Sequence, residues 1–399
     1  EGKFIGGIKE LPLIGNEVYI LTEERINDIH NLLRSGSSLK INIAKTDIED
    51  IPIDFPIDGL FNSHIAIFGN TGSGKSNTLA SLYQAMIKKM ETTKNFKQKS
   101  KFFFFDFNGE YIKSLCITEH KKVYNLSTRN EGKDKIPMTF DELMDIETLS
   151  ILFEASEKTQ KPFLKRTLNY FKIVKEKKDE YNKSEFPVYF KNIVKKNIKN
   201  VLQMTSKDTG FRILDYLEEI IGFFVSYNTV NELRDDIDYH NKSFGFFKKS
   251  TEIFFITNEP EIKNTNIFRA VDNITDEVLD KTPQLDMFYI FLLLQLISDL
   301  YRYKVQIDHI LPVINRFKAK QKNIEKIFQI NKTSTLWGDE NCIVVNLHDV
   351  NLDMRKTIPL LIAKHIYNLH KQENNEKSLS IIIDEAHNIL SKTSFRETE

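Results

Sequence analysis

The chain has 399 residues, which is too many for one ordinary hydrophobic core and predicts two or three domains. Hydrophobic residues make up 41% of it and charged residues 28%, as is typical of a soluble globular protein. Lys and Arg together equal Asp and Glu together, at 56 each, so any affinity for nucleic acid must come from local patches and not from the overall charge.

The cysteines and the apolar runs indicate the cellular environment in which the protein is expected. Cys116 and Cys342 are far apart and have no second pair, which excludes a disulfide framework and a CxxC zinc site and predicts a reducing, cytoplasmic environment. The most apolar run, residues 287–296, is about half as long as a bilayer span, so we expect a buried helix there and no membrane segment. The sequence starts at Glu1 without a Met or a signal-like stretch, and we expect it to be a fragment at this end.

The first residues, 1–46, contain the short β-type runs FIGGI, EVYIL and KINIA, separated by Gly, Asn and Ser. They predict a partial N-terminal β-barrel-like domain, with one helix at residues 24–33 among the strands. Two prolines in the following segment, IPIDFPIDGL, stop regular strand pairing. Residues 47–62 are therefore interpreted as a connector into the next domain.

Residues 64–80, HIAIFGNTGSGKSNTLA, are interpreted as a short apolar strand, a glycine-rich turn and the start of a helix. Gly69, Gly74, Lys75 and Ser76 fit the spacing GxxxxGK[ST] of a phosphate-binding P-loop. Glycines let the backbone N–H groups curl around an anion, and the N-terminal end of the helix adds its positive dipole. A chance glycine-rich loop is the alternative, but strand, motif and helix occur in the order that a P-loop needs.

This motif predicts a site for ATP and Mg²⁺. Lys75 is predicted to reach the β- and γ-phosphates, as a catalytic as well as a binding residue, and the Ser76 hydroxyl is predicted to ligate Mg²⁺. The predicted nucleotide-binding residues are Gly69, Asn70, Thr71, Gly72, Ser73, Gly74, Lys75, Ser76 and Asn77.

The next apolar run, KFFFFD, predicts a second strand that is buried on both faces. Strand, helix and strand in this order are the opening of a parallel α/β sheet. Asp106 and Glu110 follow the strand, and ligands of such sheets collect beyond the carboxyl ends of the strands. The two acids are either second-shell residues of the nucleotide site or solvated acids of a strand-ending turn, and the sequence leaves both interpretations open.

Residues 140–336 are predicted to be a large, mostly helical insertion. Apolar residues at helical spacing predict helices at 141–154, 162–177, 210–224 and 284–303, with a β-hairpin around 244–256. Between Lys158 and Lys199 there are thirteen Lys or Arg and four Asp or Glu. This excess is either a phosphate-contacting surface or a solvated helix face, and the second is commoner. Nearby aromatic residues are expected in the core and not as base-stacking platforms.

The sheet is predicted to resume at CIVVNL, to continue through a helix at residues 354–369 and to reach the apolar run LSIII, which ends in Asp384 and Glu385. Such a strand, paired with a P-loop upstream, is a Walker B motif. Asp384 is predicted to hold Mg²⁺, and Glu385 to be the catalytic residue that polarises the attacking water. The chain stops at Glu399 before the further strands of a RecA-like sheet, so residues 337–399 are expected to be a C-terminally incomplete second part of the core.

Other catalytic and nucleotide-specificity patterns are absent from the sequence. It contains no HExxH, GxSxG, LSGGQ-like or NKxD pattern, which argues against a zinc protease, a hydrolase triad, an ABC-type ATPase and a guanine-specific site. The letters DEAH at residues 384–387 lie too far from the P-loop for the two-lobed helicases that carry them, and we treat them as coincidence.

Taken together, SHIAIFGNTGSGKSNTLASLYQAM, FFFFDFNGEY, CIVVNLHDV and SIIIDEAHNIL resemble the HerA family of ring ATPases, related to the FtsK-like DNA translocases. The resemblance implies a homohexamer that hydrolyses ATP at subunit interfaces and moves double-stranded DNA through its pore. It also implies a partner, either a nuclease or an effector such as a Sir2-like protein, in antiphage defence or DNA end processing. Because no Arg occurs between Arg34 and Arg129, the neighbourhood of the P-loop cannot supply an arginine finger, and Arg396 and a C-terminal part beyond this chain are the nearby candidates.

The predicted fold is α/β: a RecA-like P-loop NTPase core with a mostly parallel sheet, a large helical insertion and a partial N-terminal β-domain. The predicted domains are residues 1–46, 47–139, 140–336 and 337–399, the second and fourth forming the ATPase core. The leading functional hypothesis is an ATP-driven DNA translocase. The alternatives are a non-motor ring scaffold that assembles and activates an effector, and a monomeric NTPase.

Overall fold

The computed structural model describes residues 13–17, 19, 21–22, 24–25, 39–45, 50–131, 133–182, 185–225, 233–331, 336–372 and 377–390. The chain divides into two compact units. The first, called the sheet unit, holds the described residues of Glu1–Ile136 and Thr335–Asn388, and the second, called the helical unit, holds those of Pro137–Ser334 and Ile389–Glu399. Most of the predicted β-domain of residues 1–46 lies outside the described residues, and so does Arg396.

In chain order the strands are β1 (Lys40–Lys45), β2 (Pro52–Pro56), β3 (Ser100–Asp106), β4 (Lys122–Ser127), β5 (Ile136–Thr139), β6 (Ile237–His240), β7 (Gly245–Lys248), β8 (Ile253–Phe254), β9 (Phe328–Asn331), β10 (Cys342–Asp349) and β11 (Ser378–Ile383). The α-helices are α1 (Ile57–Phe61), α2 (Lys75–Met90), α3 (Phe96–Lys99), α4 (Phe140–Leu143), α5 (Ile146–Leu152), α6 (Gln160–Glu180), α7 (Glu185–Leu202), α8 (Lys207–Gly222), α9 (Asn266–Ala270), α10 (Asp276–Lys281), α11 (Gln284–Tyr301), α12 (Ile307–Ile327), α13 (Leu352–Gln372) and α14 (His387–Leu390).

A parallel sheet in the order β11, β3, β10, β4 forms the centre of the sheet unit. Its inner strands are continuous apolar runs: Phe103, Phe104 and Phe105 of β3 and Val344 of β10 are all fully buried. Runs of this kind are expected where both faces of a parallel sheet are covered. The predicted α/β fold with a RecA-like P-loop core and a mostly parallel sheet is confirmed.

The segment that leads into the glycine-rich loop differs from its prediction. Residues 64–70 are not part of any strand among the described residues, and the Phe68 side chain is 91% exposed. Ile65 and Ile67 are partly buried, so the apolar alternation is present without a hydrogen-bonded ladder. A run of apolar residues specifies an extended segment, but the neighbour with which it pairs is decided by tertiary structure.

Helix α2 continues directly from the loop and packs on the sheet. Its buried side chains are Leu82, Tyr83, Met86 and Ile87. The Tyr83 ring meets the Phe104 ring edge to face at 5.3 Å, a favourable aromatic geometry. Ile41 of β1 belongs to the same buried cluster, so the antiparallel pair β1–β2 also packs here. The prediction that the prolines of residues 47–62 prevent regular pairing is therefore wrong, because they lie at the two ends of the paired strand β2. This packing fixes the first turn of α2 relative to the carboxyl ends of β3 and β11.

Helix α11 is the core of the helical unit. It is apolar and long enough to span a membrane by length and composition, but 72% of it is buried inside the protein, which is the pattern of a core helix. Phe288 and Phe291 of α11 pack edge to face on Phe171 of α6, and Phe288 also packs on Phe317 of α12. The predicted buried helix at residues 287–296 is therefore confirmed.

Most of the predicted elements of the insertion are present. The helix predicted at 141–154 is divided into α4 and α5, because Asp145 accepts hydrogen bonds from the backbone N–H groups of Glu147 and Thr148 and starts a new helix. The hairpin predicted around 244–256 is part of the antiparallel sheet β6–β7–β8. Helices α7 and α12 were not predicted, although both carry apolar residues at helical spacing.

Candidate nucleotide and metal site

The glycine-rich loop has the backbone shape that an anion cradle needs. Gly72 and Gly74 have φ of 81° and 87°, in the left-handed region that favours glycine. Gly69 is required for a different reason: a Cβ at this position would lie only 2.3 Å from Ser73 Oγ. The loop residues from Gly69 to Gly74 are exposed, so a ligand can approach them.

The N-terminus of α2 offers free donors to such a ligand. Gly74 precedes the helix and makes no side-chain cap. Among the described residues, the N–H groups of Gly74, Lys75 and Ser76 have no hydrogen-bond acceptor. Unsatisfied donors and the positive end of the helix dipole favour an anion at this position.

The Lys75 side chain folds back over the loop. Its Nζ donates a hydrogen bond to the Asn70 carbonyl oxygen at 3.1 Å. A single hydrogen bond to a neutral carbonyl is weaker than one to an ionised phosphate oxygen. The ammonium therefore lies at the open side of the glycine-rich loop, where it can release the Asn70 carbonyl oxygen and bind a phosphate oxygen instead.

Asp384 lies beside Ser76, although 308 positions separate the two residues. Ser76 Oγ is 3.4 Å from Asp384 Oδ1. The placement follows from the sheet: β11 pairs with β3 up to Ile383, and Asp384 N–H donates to the Phe105 carbonyl at 3.1 Å. The carboxyl end of β11 and the first turn of α2 thus meet at one edge of the sheet, as expected for ligand sites of parallel sheets.

The carboxylate of Asp384 is suited to a cation. The residue is 6% exposed, and among the described residues its Oδ2 is buried without a hydrogen-bond partner. Burial, and after it the negative charge of Glu110, raises the pKa of Asp384 above its usual value. A bound cation would satisfy the orphaned oxygen and offset the cost of desolvation.

Magnesium fits these donors. Mg²⁺ prefers carboxylate and hydroxyl oxygens, and it is usually held by one or two protein groups together with phosphate oxygens and water. Asp384 and Ser76 supply that number of oxygen atoms. No group of three or more His, Cys, Asp or Glu side chains in the described ranges could hold a metal alone.

Glu385 follows Asp384 in a strained conformation. Its φ is 49°, in the left-handed region, and its side chain is about a quarter exposed, at 27%. The Glu385 Oε2 atom lies 3.1 Å from His387 Nδ1. The contact with His387 was missed by the sequence analysis, which treated the DEAH letters as coincidence; the spacing of Glu385 and His387 was the available signal.

Asp106 organises the loop that follows β3. It is fully buried, and its carboxylate accepts hydrogen bonds from the N–H groups of Gly109, Glu110 and Tyr111 at 2.7, 3.0 and 2.9 Å. The interpretation of Asp106 as a solvated acid is therefore wrong, because three loop amides surround the carboxylate. The Glu110 side chain is exposed, and its charge acts on Asp384.

Tyr111 was also missed by the sequence analysis. Its ring is buried against Phe104, and its hydroxyl donates a long hydrogen bond of 3.5 Å to the Ser76 carbonyl. Burial first, and then the charge of Asp384, raises the pKa of Tyr111 far above its usual value, so the hydroxyl remains a donor. Tyr111 thus links the β3 loop to the first turn of α2.

The polar ends of the four strands form one row across the sheet. Asn346 of β10 lies opposite Asp106 of β3 on one side and Asn125 of β4 on the other. Asn346 Nδ2 donates to Asn125 Oδ1 at 3.1 Å. With Asp384 at the end of β11, the carboxyl edge of the sheet presents polar groups on every strand, while the strand interiors are apolar.

Several of the basic residues in the run 158–199 are paired with acids. Lys178 contacts Asp280 at 2.6 Å, Lys195 contacts Asp272 at 2.5 Å and Lys199 contacts Glu259 at 2.8 Å. These pairs are partly exposed, so each contributes little stability, but they reduce the positive charge available to phosphates. The structure favours a solvated, ion-paired helix face over a phosphate-contacting surface in this run.

The aromatic residues of the same run belong to the core. Phe163, Phe186 and Phe190 are buried, and the Tyr170 ring packs edge to face on Phe291 at 5.2 Å. The prediction that they are core residues and not base-stacking platforms is confirmed.

A parallel sheet that brings a glycine-rich loop, a helix N-terminus and a buried carboxylate to its carboxyl edge defines the class of RecA-like P-loop proteins. Within this class, residues 41–245 match the family model described as "Helicase HerA, central domain". This match covers about half of the 399 residues, and the chain belongs to this family.

Two curated proteins illustrate the likeness. The DNA double-strand break repair helicase HerA of Sulfurisphaera tokodaii is 28% identical over 221 residues, which are 53% of this chain and 40% of the relative. The probable helicase MJ1565 of Methanocaldococcus jannaschii is 28% identical over 235 residues, which are 56% of this chain and 40% of the relative. The chain thus spans less than half the length of each of these relatives.

Proposed function

We propose that the protein is a Mg²⁺-dependent ATPase that assembles as a homohexamer and translocates double-stranded DNA in the cytoplasm. In this proposal it works with a nuclease or a Sir2-like effector, in antiphage defence or DNA end processing. Membership of the HerA helicase family and the likeness to a DNA double-strand break repair helicase support DNA as the substrate. The hexamer and the effector rest on the resemblance to ring ATPases.

One observation carries the ATPase part of the proposal: Ser76 Oγ and Asp384 Oδ1 lie 3.4 Å apart beside a glycine-rich loop with unsatisfied N–H donors. A hydroxyl and a buried carboxylate at the N-terminus of a helix match the needs of a triphosphate with its metal. A loop with only a structural role would not need a lysine ammonium folded over it, as Lys75 is. It would also not need a buried carboxylate oxygen without a hydrogen-bond partner among the described residues, as in Asp384.

Each residue then has a definite task. The free N–H groups of Gly74, Lys75 and Ser76 and the Lys75 ammonium bind the β- and γ-phosphates, and Ser76 and Asp384 would hold Mg²⁺, which would neutralise charge on the phosphates. Glu385 orients the attacking water and accepts its proton. Asp106 shapes the loop that carries Glu110 and Tyr111, and so acts on the site through position and charge.

The test is phosphate release by the purified protein with Mg²⁺ and ATP, measured with and without a DNA duplex. We expect turnover that requires Mg²⁺ and rises with the duplex. Light scattering with ATP should give the mass of six chains. Turnover without any response to DNA would contradict the translocase, and a monomer mass would contradict the ring.

A ring scaffold that activates an effector is the second candidate. It is favoured by the ion pairing of the lysines in residues 158–199 and by the equal numbers of basic and acidic residues, 56 each, which leave little net charge for DNA. Under this alternative, ATP should drive assembly and effector activity in the absence of DNA. DNA-dependent movement, measured by displacement of a third strand from a triplex, should then be absent.

A further inference from the structure

The turn between α11 and α12 in the helical unit exposes an alternation of aromatic and cationic side chains. Tyr301, Arg302, Tyr303 and Lys304 are four exposed residues in succession, with Tyr301 43% and Tyr303 80% exposed. We call residues 301–304 the Tyr-Arg turn. Among the described residues, none of the four side chains makes an ion pair or a ring contact.

The turn is held in one shape by its backbone. The N–H groups of Arg302, Tyr303 and Lys304 donate to carbonyls in the last turn of α11 at 3.2, 3.1 and 2.9 Å. Tyr303 has φ of 54°, which is strained for a residue with a large side chain. A tyrosine that is both strained and exposed is disfavoured for the fold alone, so the observation points to a use for the ring.

The acid closest in sequence does not neutralise the turn. Asp299 is buried, and its carboxylate accepts a hydrogen bond from Arg166 at 2.8 Å and another from Gln295 at 2.9 Å. Its charge is therefore compensated within the core of the helical unit. Arg302 and Lys304 keep their positive charge for an external partner.

We propose that the Tyr-Arg turn binds single-stranded nucleic acid, with a base stacked on Tyr303 and the adjoining phosphates paired with Arg302 and Lys304. Flat rings alternating with cations match the alternation of bases and phosphates along a strand. A duplex fits less well, because its base faces are already stacked on each other. The inference rests on the proposed function only in taking a nucleic acid as the partner.

A protein partner is disfavoured by the surroundings of the turn. Protein interfaces are enriched in tyrosine and arginine, but they also have an apolar centre and are depleted in lysine. Here Val305 and Ile307 are only partly exposed and Gln306 is polar, so the turn is not the edge of an apolar patch. Within the turn itself, the exposed residues that alternate with the two rings are the cations Arg302 and Lys304.

The decisive variant is Tyr303→Gly, since glycine adopts a φ of 54° without strain. We expect it to weaken binding of a fluorescent oligothymidylate of about twenty nucleotides by about tenfold, measured by anisotropy on the full chain. Its unfolding temperature should be equal to or higher than that of the parent protein, so weaker binding could not be attributed to misfolding. Unchanged binding by this variant would overturn the proposal.

Further variants separate stacking from other contacts. Tyr303→Phe should keep the affinity and Tyr303→Leu should lose it, because only the first retains a flat ring; affinity retained by the Leu variant would show that a flat ring is not needed and would refute stacking. The double change Arg302→Gln and Lys304→Gln should reduce the slope of log affinity against log salt by about 1.4. The exposed residues Tyr367 and Lys172, changed to Ala and Gln, are the matched controls and should leave binding unchanged.

Three comparisons complete the test. An oligouridylate used beside the oligothymidylate shows whether the turn distinguishes RNA from DNA. A Tyr303→Gly effect confined to a duplex probe would overturn the single-strand assignment. ATP turnover of the parent protein is measured separately. Nucleic-acid binding through the turn without any ATP turnover would contradict the proposed ATPase function but support this inference. ATP turnover without binding through the turn would support the ATPase function and contradict this inference.

Discussion

The Ser76 hydroxyl oxygen lies 3.4 Å from the Asp384 carboxylate oxygen, with 308 positions of chain between them. Neither motif is specific alone, since glycine-rich loops and strands that end in acids are both common. Their contact at the carboxyl edge of one parallel sheet argues against a coincidence of two unrelated sequence patterns. The five predictions that follow all start from this pair and its neighbours.

Lys75→Ala should weaken ATP binding by about tenfold to a hundredfold, because a charge-assisted hydrogen bond to phosphate is lost. The measurement is titration calorimetry with Mg²⁺ and a slowly hydrolysed ATP analogue. Lys88→Ala is the matched control, since Lys88 is an exposed lysine in the last turn of the same helix. Equal losses in both variants would indicate a general charge effect and would contradict a specific role for Lys75.

Glu385→Gln should bind ATP about as well as the parent protein and hydrolyse it about a hundredfold to ten-thousandfold more slowly, because an amide cannot accept the proton of the attacking water. Single-turnover kinetics separates the two effects. Glu119→Gln removes an exposed acid of the same unit and should leave both parameters unchanged. Full turnover by the Glu385 variant would assign the base to another residue.

Asp384→Asn should stabilise the fold in the absence of metal and nucleotide. Burial and the charge of Glu110 raise the pKa of Asp384, so the folded protein holds this proton more tightly than the unfolded chain. Stability in the parent protein therefore falls as pH rises from the ordinary pKa of an aspartate through the raised pKa. The asparagine variant should lack this fall, which thermal unfolding as a function of pH would measure.

The same variant should lose the stabilisation that Mg²⁺ and ATP together give to the parent protein. A ligand that binds only the folded state raises its unfolding temperature, and Asp384→Asn removes a charged metal ligand. A variant that is destabilised without ligand, or that still gains stability from Mg²⁺ and ATP, would contradict the proposed metal role.

Asp106→Ala should destabilise the sheet unit by about 2 to 4 kcal/mol, because three loop N–H groups lose their acceptor. Urea unfolding followed by circular dichroism measures this change. Asn108→Ala, at an exposed position of the same loop, should change stability by less than about 0.5 kcal/mol. A similar loss of stability in both variants would mean that any substitution in this loop is destabilising, and would contradict a specific role for the Asp106 carboxylate.

Local patterns in the sequence were enough to predict several parts of this structure. The glycine spacing predicted the loop before α2, because only residues without a Cβ adopt the φ of Gly72 and Gly74 at low cost. The apolar runs KFFFFD and CIVVNL predicted buried strands, and the apolar run at residues 287–296 predicted the core helix. In each case the signal and the structure lie within a few residues of each other.

The partners of individual side chains could not be predicted in this way, whether the partner lies a few residues away or in another element. Asp106 was predicted to be either a second-shell residue of the nucleotide site or a solvated acid; the structure excludes only the second alternative, because three loop amides donate to its buried carboxylate. The contact of Glu385 with His387 and the link from Tyr111 to Ser76 depend on side-chain directions that periodicity does not specify. Residues 64–68 have the pattern of a strand, but no partner strand lies beside them in the described part of the chain.

The sequence by itself determined the kinds of element, the identity of the P-loop and the acids that end β11, because these depend on backbone angles and on burial within short windows. That Ser76 and Asp384 share one site followed from the two motifs taken together, but only the tertiary structure gave their distance, and only it decided that several lysines of residues 158–199 are ion-paired and that Tyr303 is exposed. Such facts depend on which strands and helices become neighbours. That choice is made by the packing of the whole chain, since the free energy of burying one segment depends on the segment that covers it.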